Sequence, residues 1–102
     1  MAAILFVRIE SDLNAEELDQ RMRSRCPGFA EVPGLIQKIF GRDPHSGHIC
    51  GIYFFQDQAA LAAYRESDLA KSIPEAYAAV DVRRESYEFL YPVYPDRGPV
   101  SA

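Results

Sequence analysis

The chain has 102 residues, of which 48% are hydrophobic and 25% charged, and its formal net charge at pH 7 is −4. This length suits one domain with one modest core. The Lys and Arg residues are scattered, so the basic stripe of a nucleic-acid-binding protein is absent. No stretch approaches the ~20 apolar residues of a membrane span, and the first residues lack the basic segment of a signal peptide. We expect a cytoplasmic protein that binds neither nucleic acid nor membrane.

Residues 3–10 (AILFVRIE) form the first predicted strand. The odd-numbered positions from Ala3 to Ile9 are all apolar, whereas the even-numbered positions carry both apolar and charged side chains. Successive side chains of a strand point to opposite faces. We therefore expect helices to cover the odd-numbered face, while the other face is only partly polar.

A helix is predicted to follow this strand. Asn14 and Glu17 have the spacing of a capping box at its start, and Pro27-Gly28 is expected to end it. Its arginines, Arg21, Arg23 and Arg25, are interspersed with acids and indicate a solvated helix face. A buried stripe is predicted at intervals of four residues, formed by Leu18, Met22 and Cys26.

The second half of the chain predicts a hairpin, a helical region and a last strand. Strands over 35–42 and 48–55 flank a turn. Asp57 is placed to cap a helix whose Leu61 and Tyr64 share one face, Ser67-Asp68 can start a further turn, and Pro74 suits a first-turn position. Residues 79–90 are expected to be extended. The order β-α-β-β-α-β is that of a ferredoxin-like α+β domain with a four-stranded antiparallel sheet, over residues 1–90, followed by a Pro-rich tail over 91–102.

One face of this predicted sheet has no helix to cover it. Two helices cover one face only, and the other carries Phe6, Ile36 and Phe40, or their neighbours in the alternate register. Apolar area of this extent favours an interface. Two such sheets packed face to face would hide it in a two-fold dimer, so we predict a homodimer.

Two stretches of the sequence resemble a known family. The stretch VPGLIQKIF, then a hairpin, then GIYFFQDQAALAAY, is similar to the YdhR-like monooxygenases of the dimeric α/β-barrel superfamily, relatives of the antibiotic-biosynthesis monooxygenases. The resemblance covers about residues 3–90. The matching pieces are Pro33-Gly34-Leu35, Lys38, Gly51-Ile52-Tyr53, Phe55, Asp57, Ala60, Ala62 and Tyr64.

The resemblance implies a substrate held between the helices and the sheet. Superfamily monooxygenases that need no cofactor oxidise electron-rich phenols, and the substrate carbanion itself activates oxygen, so we expect no cofactor here. The tryptophan that such relatives often have in place of Phe55 is absent, because the chain has no Trp. Tyr64 could match the helix tyrosine of the polyketide cyclases in the superfamily. Residues 65–77 lack the histidine that pairs with that tyrosine.

His45, His48 and Cys50 lie within six positions. A zinc site needs three or four convergent ligands, and the alternation of a strand puts only His48 and Cys50 on one face, so we predict no metal site. Neighbours on one strand face lie about 6–7 Å apart, too far for a Cys50–His48 catalytic pair. His48 is a candidate for proton transfer or a half-solvated hairpin residue. Both Cys26 and Cys50 are expected to be reduced thiols.

Tyrosines are the other candidates, since a phenol can donate to a ketone or enolate oxygen while its ring packs on an aromatic substrate. We assign Tyr64 and His48 as candidate catalytic residues. Each tyrosine can equally be a core aromatic. Arginines on strands (Arg8, Arg83, Arg84) can stabilise an oxyanion or pair with acids across strands, and Lys38 has the same ambiguity. The candidate substrate-binding residues are Tyr53, Phe55, Tyr77 and Arg84.

Three hypotheses follow for function. The first is a cofactor-independent monooxygenase acting on a small apolar, aromatic or polyketide-like substrate. The second is a polyketide cyclase or isomerase of the same fold. The third is a dimeric module that binds a small ligand without catalysis. A cavity lined by convergent polar groups would favour an enzyme, and a solidly packed layer would favour the module.

Overall fold

The computed structural model describes residues 1–99, in which a four-stranded antiparallel sheet is covered by helices on one side. Across the sheet the strands lie in the order Leu35–Arg42, Ile49–Phe55, Ala3–Ser11 and Ala79–Glu88, which confirms the predicted ferredoxin-like fold. Residues 89–99 contain neither helix nor strand, and the last part of the predicted tail, 100–102, lies outside the described residues. The elements are β1 (Ala3–Ser11), α1 (Ala15–Ala30), β2 (Leu35–Arg42), β3 (Ile49–Phe55), α2 (Gln58–Arg65), α3 (Asp68–Lys71), α4 (Ile73–Ala76) and β4 (Ala79–Glu88).

Side chains of the central strand β1 alternate between the two faces of the sheet, as its sequence predicts. All four odd-numbered residues from Ala3 to Ile9 are buried beneath the helices. On the same face, Leu5 pairs with Tyr53 of β3, and Val7 pairs with Arg84 of β4. The core therefore lies between the sheet and the helices, where any chamber for a substrate would also lie.

Helix α1 begins where predicted but ends later. The Asn14 side chain accepts a hydrogen bond from the Glu17 backbone N–H at 2.8 Å. The prediction that Pro27-Gly28 ends the helix is wrong, because α1 runs through Pro27 to Ala30. Proline removes one helical hydrogen bond, but the last turn is held by Phe29, which is buried and packs against the rings of Tyr53 and Tyr64.

This longer helix also changes which of its side chains are buried. Cys26, predicted to be on the buried stripe, is exposed. Arg25, predicted to be solvated, instead reaches the helical region, where its guanidinium donates to the Leu69 carbonyl at 2.9 Å and to the Ser72 hydroxyl at 3.1 Å. The extension to Phe29 anchors α1 over the sheet and turns Arg25 toward the other helices.

The caps of the shorter helices confirm the predictions made from sequence. The Asp57 carboxylate accepts from the Ala60 N–H at 2.8 Å, and the Ser67 hydroxyl accepts from the Ala70 N–H at 3.2 Å. Pro74 lies in the first turn of α4. None of the helices within residues 1–99 has the length and apolar character needed to cross a membrane.

The opposite face of the sheet, called here the open face, is not covered by any helix of the described residues 1–99. A bulge in β2 between Leu35 and Gln37 selects the alternate register, so Phe40 packs under the helices against Phe29 and Ile39 takes the open face opposite Ile52. Ile39 and Tyr87 remain 45% and 51% exposed. The apolar residues of the open face are Ile4, Phe6, Ile39, Ile52, Phe54 and Tyr87.

Candidate functional site

A cluster of aromatic rings fills the layer between the sheet and α2. Tyr53 and Phe55 project from β3 with parallel rings 6.1 Å apart. Tyr64 packs down from α2, with its ring centroid 5.2 Å from that of Tyr53 and 5.6 Å from that of Phe55. The structure thus brings together three of the residues predicted from sequence. Phe55 is fully buried and supports the two tyrosines.

Tyr53 and Tyr64 also share a buried hydrogen bond between their hydroxyl groups, 3.1 Å apart. One O–H donates and the other accepts, so one hydroxyl proton is left over for another acceptor. Burial raises the pKa of both phenols above the usual value of 10.0. Both are therefore neutral at pH 7 and act as hydrogen-bond donors rather than as phenolates.

A cavity of about 220 Å³ adjoins Tyr64. Its floor is Leu5 and Val7 of β1, and Arg84 of β4 lies at one wall, because Arg84 pairs with Val7 on the helix-covered face. The candidate catalytic residue Tyr64 and the candidate binding residue Arg84 therefore line the same cavity. Its remaining lining residues are Arg65, Glu66, Ala70, Lys71 and Ile73.

The charge around this cavity is mainly positive. Arg65, Lys71 and Arg84 line it with a single carboxylate, Glu66. Lys71 pairs with that carboxylate at 3.6 Å. In the described part of the chain Arg84 forms no ion pair, so the alternative of a cross-strand pair is not realised there. An unpaired guanidinium above an apolar floor suits an anionic oxygen on an apolar ligand.

Tyr77 lies deeper and outside this cavity. Its ring is buried beneath the guanidinium of Arg25, whose Cζ lies 5.3 Å from the ring centroid. Its hydroxyl has no hydrogen-bond partner within residues 1–99. The neighbouring void, shared with Tyr53 and Lys38, is only about 10 Å³, which is near the volume that one water needs. The layer is therefore closely packed around Tyr77, whereas the cavity beside Tyr64 lies at Arg84.

His48 lies away from the tyrosines, on the open face. Its Nε2 is 3.6 Å from a carboxylate oxygen of Glu10 on β1, and Cys50 follows it on the same face. His45 is exposed in the turn. Within residues 1–99 no group of three or more His, Cys, Asp or Glu side chains is placed to hold a metal ion. The structure therefore does not bring His48 to the cavity of Tyr64.

Two cations lie in the interior, Lys38, predicted to stabilise an oxyanion or to pair with acids across strands, and Arg25, predicted to be solvated. Lys38 forms no ion pair within residues 1–99. Lys38 lies beneath α1 with its ammonium 3.3 Å from the ring centroid of Phe29, and Arg25 lies over the same ring at 5.7 Å. A lysine between apolar residues in LIQKIF was a signal for Lys38. Arg25 offered no such signal, since its position depends on α1 continuing past Pro27.

The hydroxyl pair predicts a non-additive effect on stability. Tyr53→Phe and Tyr64→Phe each leave one buried hydroxyl without its partner, which costs about 1–3 kcal/mol. The double variant has no hydroxyl left without a partner, so we expect its loss in free energy of unfolding to be smaller than the sum of the losses in the two single variants. Urea unfolding of the four proteins measures this coupling, with Tyr94→Phe as an exposed control. Additive costs would show that the two hydroxyls do not bond to each other.

Comparison with known proteins places the chain in a family. The family model described as "Putative mono-oxygenase ydhR" matches residues 4–93. The chain belongs to this YdhR family. The match spans β1 to β4 together with Tyr53, Tyr64 and Arg84, so it includes the whole cavity. A search of curated proteins finds no match.

Solved structures share the fold at low sequence identity. SnoaB from Streptomyces nogalater, titled a cofactor-independent oxygenase, is 13% identical over 90% of this chain and 96% of its own, with a TM-score of 0.75. PA3566 from Pseudomonas aeruginosa is 21% identical over 87% and 94%, with a TM-score of 0.67. A dimeric protein of unknown function from Bacteroides fragilis is 16% identical over 86% and 96%, with a TM-score of 0.65. These similarities independently support the ferredoxin-like fold.

Proposed function

We propose that this YdhR-family protein is a cofactor-independent monooxygenase that oxidises a small electron-rich phenol in the cavity beside Tyr64 and Arg84. The observation that carries the proposal is the meeting of these two side chains on one cavity of about 220 Å³, in a chain of a mono-oxygenase family. The cofactor-independent oxygenase SnoaB, which has the same fold, supports the absence of a cofactor from the reaction.

The volume of the cavity limits the substrate. An engineered apolar cavity of about 150 Å³ holds benzene, so about 220 Å³ accepts one substituted ring. Three fused rings exceed this volume and would extend out of the cavity into solvent. We therefore narrow the substrate class to single-ring phenols that carry further hydroxyl groups, with the ring on Leu5 and Val7.

Arg84 and Tyr64 have separate roles in the proposed reaction. The Arg84 guanidinium pairs with the phenolate oxygen and favours the deprotonated substrate. Either tyrosine can donate in the Tyr53–Tyr64 hydrogen bond. When Tyr53 donates, it is satisfied in the core, and the Tyr64 O–H is free to donate to an oxygen of the substrate or of the developing peroxide.

The overall reaction balances without an external reductant. A ring carbon of the phenolate attacks O₂, forming a C–O bond and a peroxide. Loss of water then breaks the O–O bond. One oxygen atom enters the ring as a quinone C=O, and the other leaves as water with the two hydrogens lost from the ring C–H and the phenol O–H. The substrate supplies all four electrons that O₂ accepts.

We further propose that the protein acts as a homodimer joined through the open face. Within residues 1–99 no helix covers the six apolar side chains of that face, and sheets that carry such a face pack on another sheet about 10 Å away. A dimeric protein of the same fold supports this assembly. The helix-covered side, with its cavity, then stays accessible on both subunits.

Oxygen uptake with resorcinol as a one-ring probe and anthrone as a three-ring probe tests the proposed reaction. We expect uptake with resorcinol to exceed that with anthrone. Arg84→Met, which removes an unpaired guanidinium from the cavity wall beside Val7, should lower kcat/KM by about tenfold or more. Tyr64→Phe should lower kcat by a similar factor. Arg23→Met, on the outer face of α1, should leave both constants unchanged.

The other outcomes of this experiment are equally informative. Conversion of a polyketide-like substrate without oxygen uptake would contradict the oxygenase and favour a cyclase or isomerase. Binding of resorcinol at Arg84 without turnover would favour a non-catalytic module. Equal losses in Arg84→Met and Arg23→Met would show that the cavity is not the site.

A further inference from the structure

Lys38 is an amine at the centre of an aromatic cage. It projects from β2 under the helices, in register with Tyr53 of β3. Its side chain crosses Gly51, where an added Cβ would lie only 3.0 Å from Lys38 Cε and 3.1 Å from the Tyr53 ring. Because Gly51 has no side chain, the side chain of Lys38 can extend past it into the layer between the sheet and the helices. Nζ then lies 3.3 Å from the ring centroid of Phe29 and 4.4 Å from those of Phe40 and Tyr53.

No anion compensates this amine. Within residues 1–99, no carboxylate lies within ion-pair distance of Nζ, and the nearest charged group that acts on it, Arg25, is also positive. Burial, and to a lesser degree Arg25, lowers the pKa of Lys38 from 10.5 to about 7, against the smaller opposing effect of Cys26. The ring faces favour the ammonium form, but they offer no acceptor for its protons. A substantial fraction of Lys38 side chains is therefore neutral at pH 7.

Lys38 borders an open groove as well as the core. The groove has a volume of about 360 Å³ and lies between the end of α1 and β2. Apart from Lys38, its lining contains no Asp, Glu, His or Arg, and two of its lining residues are aromatic. The lining residues besides Lys38 are Cys26, Phe29, Leu35, Ile36, Gln37 and Phe40, together with Ala30. A small apolar molecule that enters the groove therefore contacts Lys38.

We propose that Lys38 is a covalent binding site for small aromatic aldehydes. The Lys38 nitrogen attacks the aldehyde carbon to give a carbinolamine, which loses water to leave a C=N double bond. The reaction is reversible, consumes no oxidant or reductant, and requires the neutral amine. The rings of Phe29 and Phe40 pack against the aromatic part of the ligand. This site is separate from the cavity of Tyr64 and does not depend on the proposed oxygenase activity.

The chain offers an internal control, because its only other lysine is Lys71, which is exposed and pairs with Glu66 at 3.6 Å. Benzaldehyde and sodium cyanoborohydride at pH 7 convert the imine to a stable benzyl-lysine, and peptide mass mapping assigns it to Lys38, Lys71 or the terminal amine. An ordinary lysine is neutral in fewer than about one molecule in a thousand at pH 7. We expect labelling of Lys38 to be faster than that of Lys71 by about tenfold or more.

Three further measurements test whether the fast reaction of Lys38 needs the folded groove. Unfolding in urea should remove the preference for Lys38, and Lys38→Arg, which keeps the charge but cannot form the imine, should abolish the fast phase. Lys71→Arg should leave that phase unchanged. Equal rates at the two lysines of the native protein overturn the proposal. Faster reaction of Lys38 with glyoxylate, a small anionic aldehyde, than with benzaldehyde overturns the assignment to aromatic aldehydes.

Discussion

Lys38→Met is expected to make the protein more stable at pH 6.5 and to remove most of the dependence of its stability on pH between 7 and 10. In the wild type the folded chain holds Lys38 with a pKa of about 7, against 10.5 ordinarily. This difference corresponds to a destabilisation on the order of 3–5 kcal/mol while the amine is protonated in both states. Cation–π contacts with the rings of the cage offset about 0.5–2 kcal/mol of this destabilisation. Methionine fills the same cage without a charge and packs well on rings.

The sign of the effect follows from proton binding. Between pH 7 and 10.5 the unfolded chain holds more protons at Lys38 than the folded chain, so the free energy of unfolding rises with pH and the penalty is complete only below about pH 7. Near pH 10 the buried phenols Tyr53, Tyr64 and Tyr77 reverse the trend. Their pKa values are raised in the folded state, so the unfolded chain loses its phenolic protons first. We therefore expect maximal stability at about pH 9–10.

Urea unfolding at pH 6.5 and pH 9.5 measures both effects. The wild type should gain about 2–3 kcal/mol over this interval, and Lys38→Met should change little. Lys71→Met, at the exposed lysine, should keep the wild-type rise. A wild type and a Lys38→Met variant with the same pH dependence would show that the caged amine keeps an ordinary pKa in the folded protein.

The order and type of the elements could be predicted from local signals. The alternation along β1, the capping residues Asn14, Asp57 and Ser67, and the turn residues of the hairpin are each decided within a few positions of the chain. The pairing of Tyr64 with Tyr53 was also foreseeable, since one lies on the inner face of a strand and the other on the apolar side of the next helix. Their hydrogen bond confirms that they face each other.

The features that local sequence signals did not predict depend on contacts between residues far apart in the chain. Whether α1 ends at Pro27 is decided by what Phe29 contacts in the tertiary structure, and the position of Arg25 depends on that outcome. A single extra residue in β2 at Ile36 exchanges the faces of the residues after it, which brings Lys38 and Phe40 under the helices. His48 appeared to be a candidate because of its chemistry. Its place on the open face is set by its position on the hairpin beside Glu10.

Phe54→Glu is expected to dissociate the proposed dimer. Phe54 lies on the open face between Ile4 of β1 and Gln37 of β2. A carboxylate there, and its copy in the partner, would be removed from water at the interface, at a cost of several kcal/mol for each ion. This loss corresponds to a rise in the dimer dissociation constant of about a thousandfold or more. Ala62→Glu adds the same charge on the exposed side of α2 and should leave the dimer intact.

Sedimentation velocity at micromolar concentration tests the central claim, that the open face of the sheet pairs with a second copy while the other face keeps the reaction cavity. The wild type and Ala62→Glu should sediment at about twice the 11.5 kDa chain mass, and Phe54→Glu should sediment as a folded monomer. A monomeric wild type would contradict the account. So would a dimer that is unaffected by Phe54→Glu, because the subunits would then join through another surface.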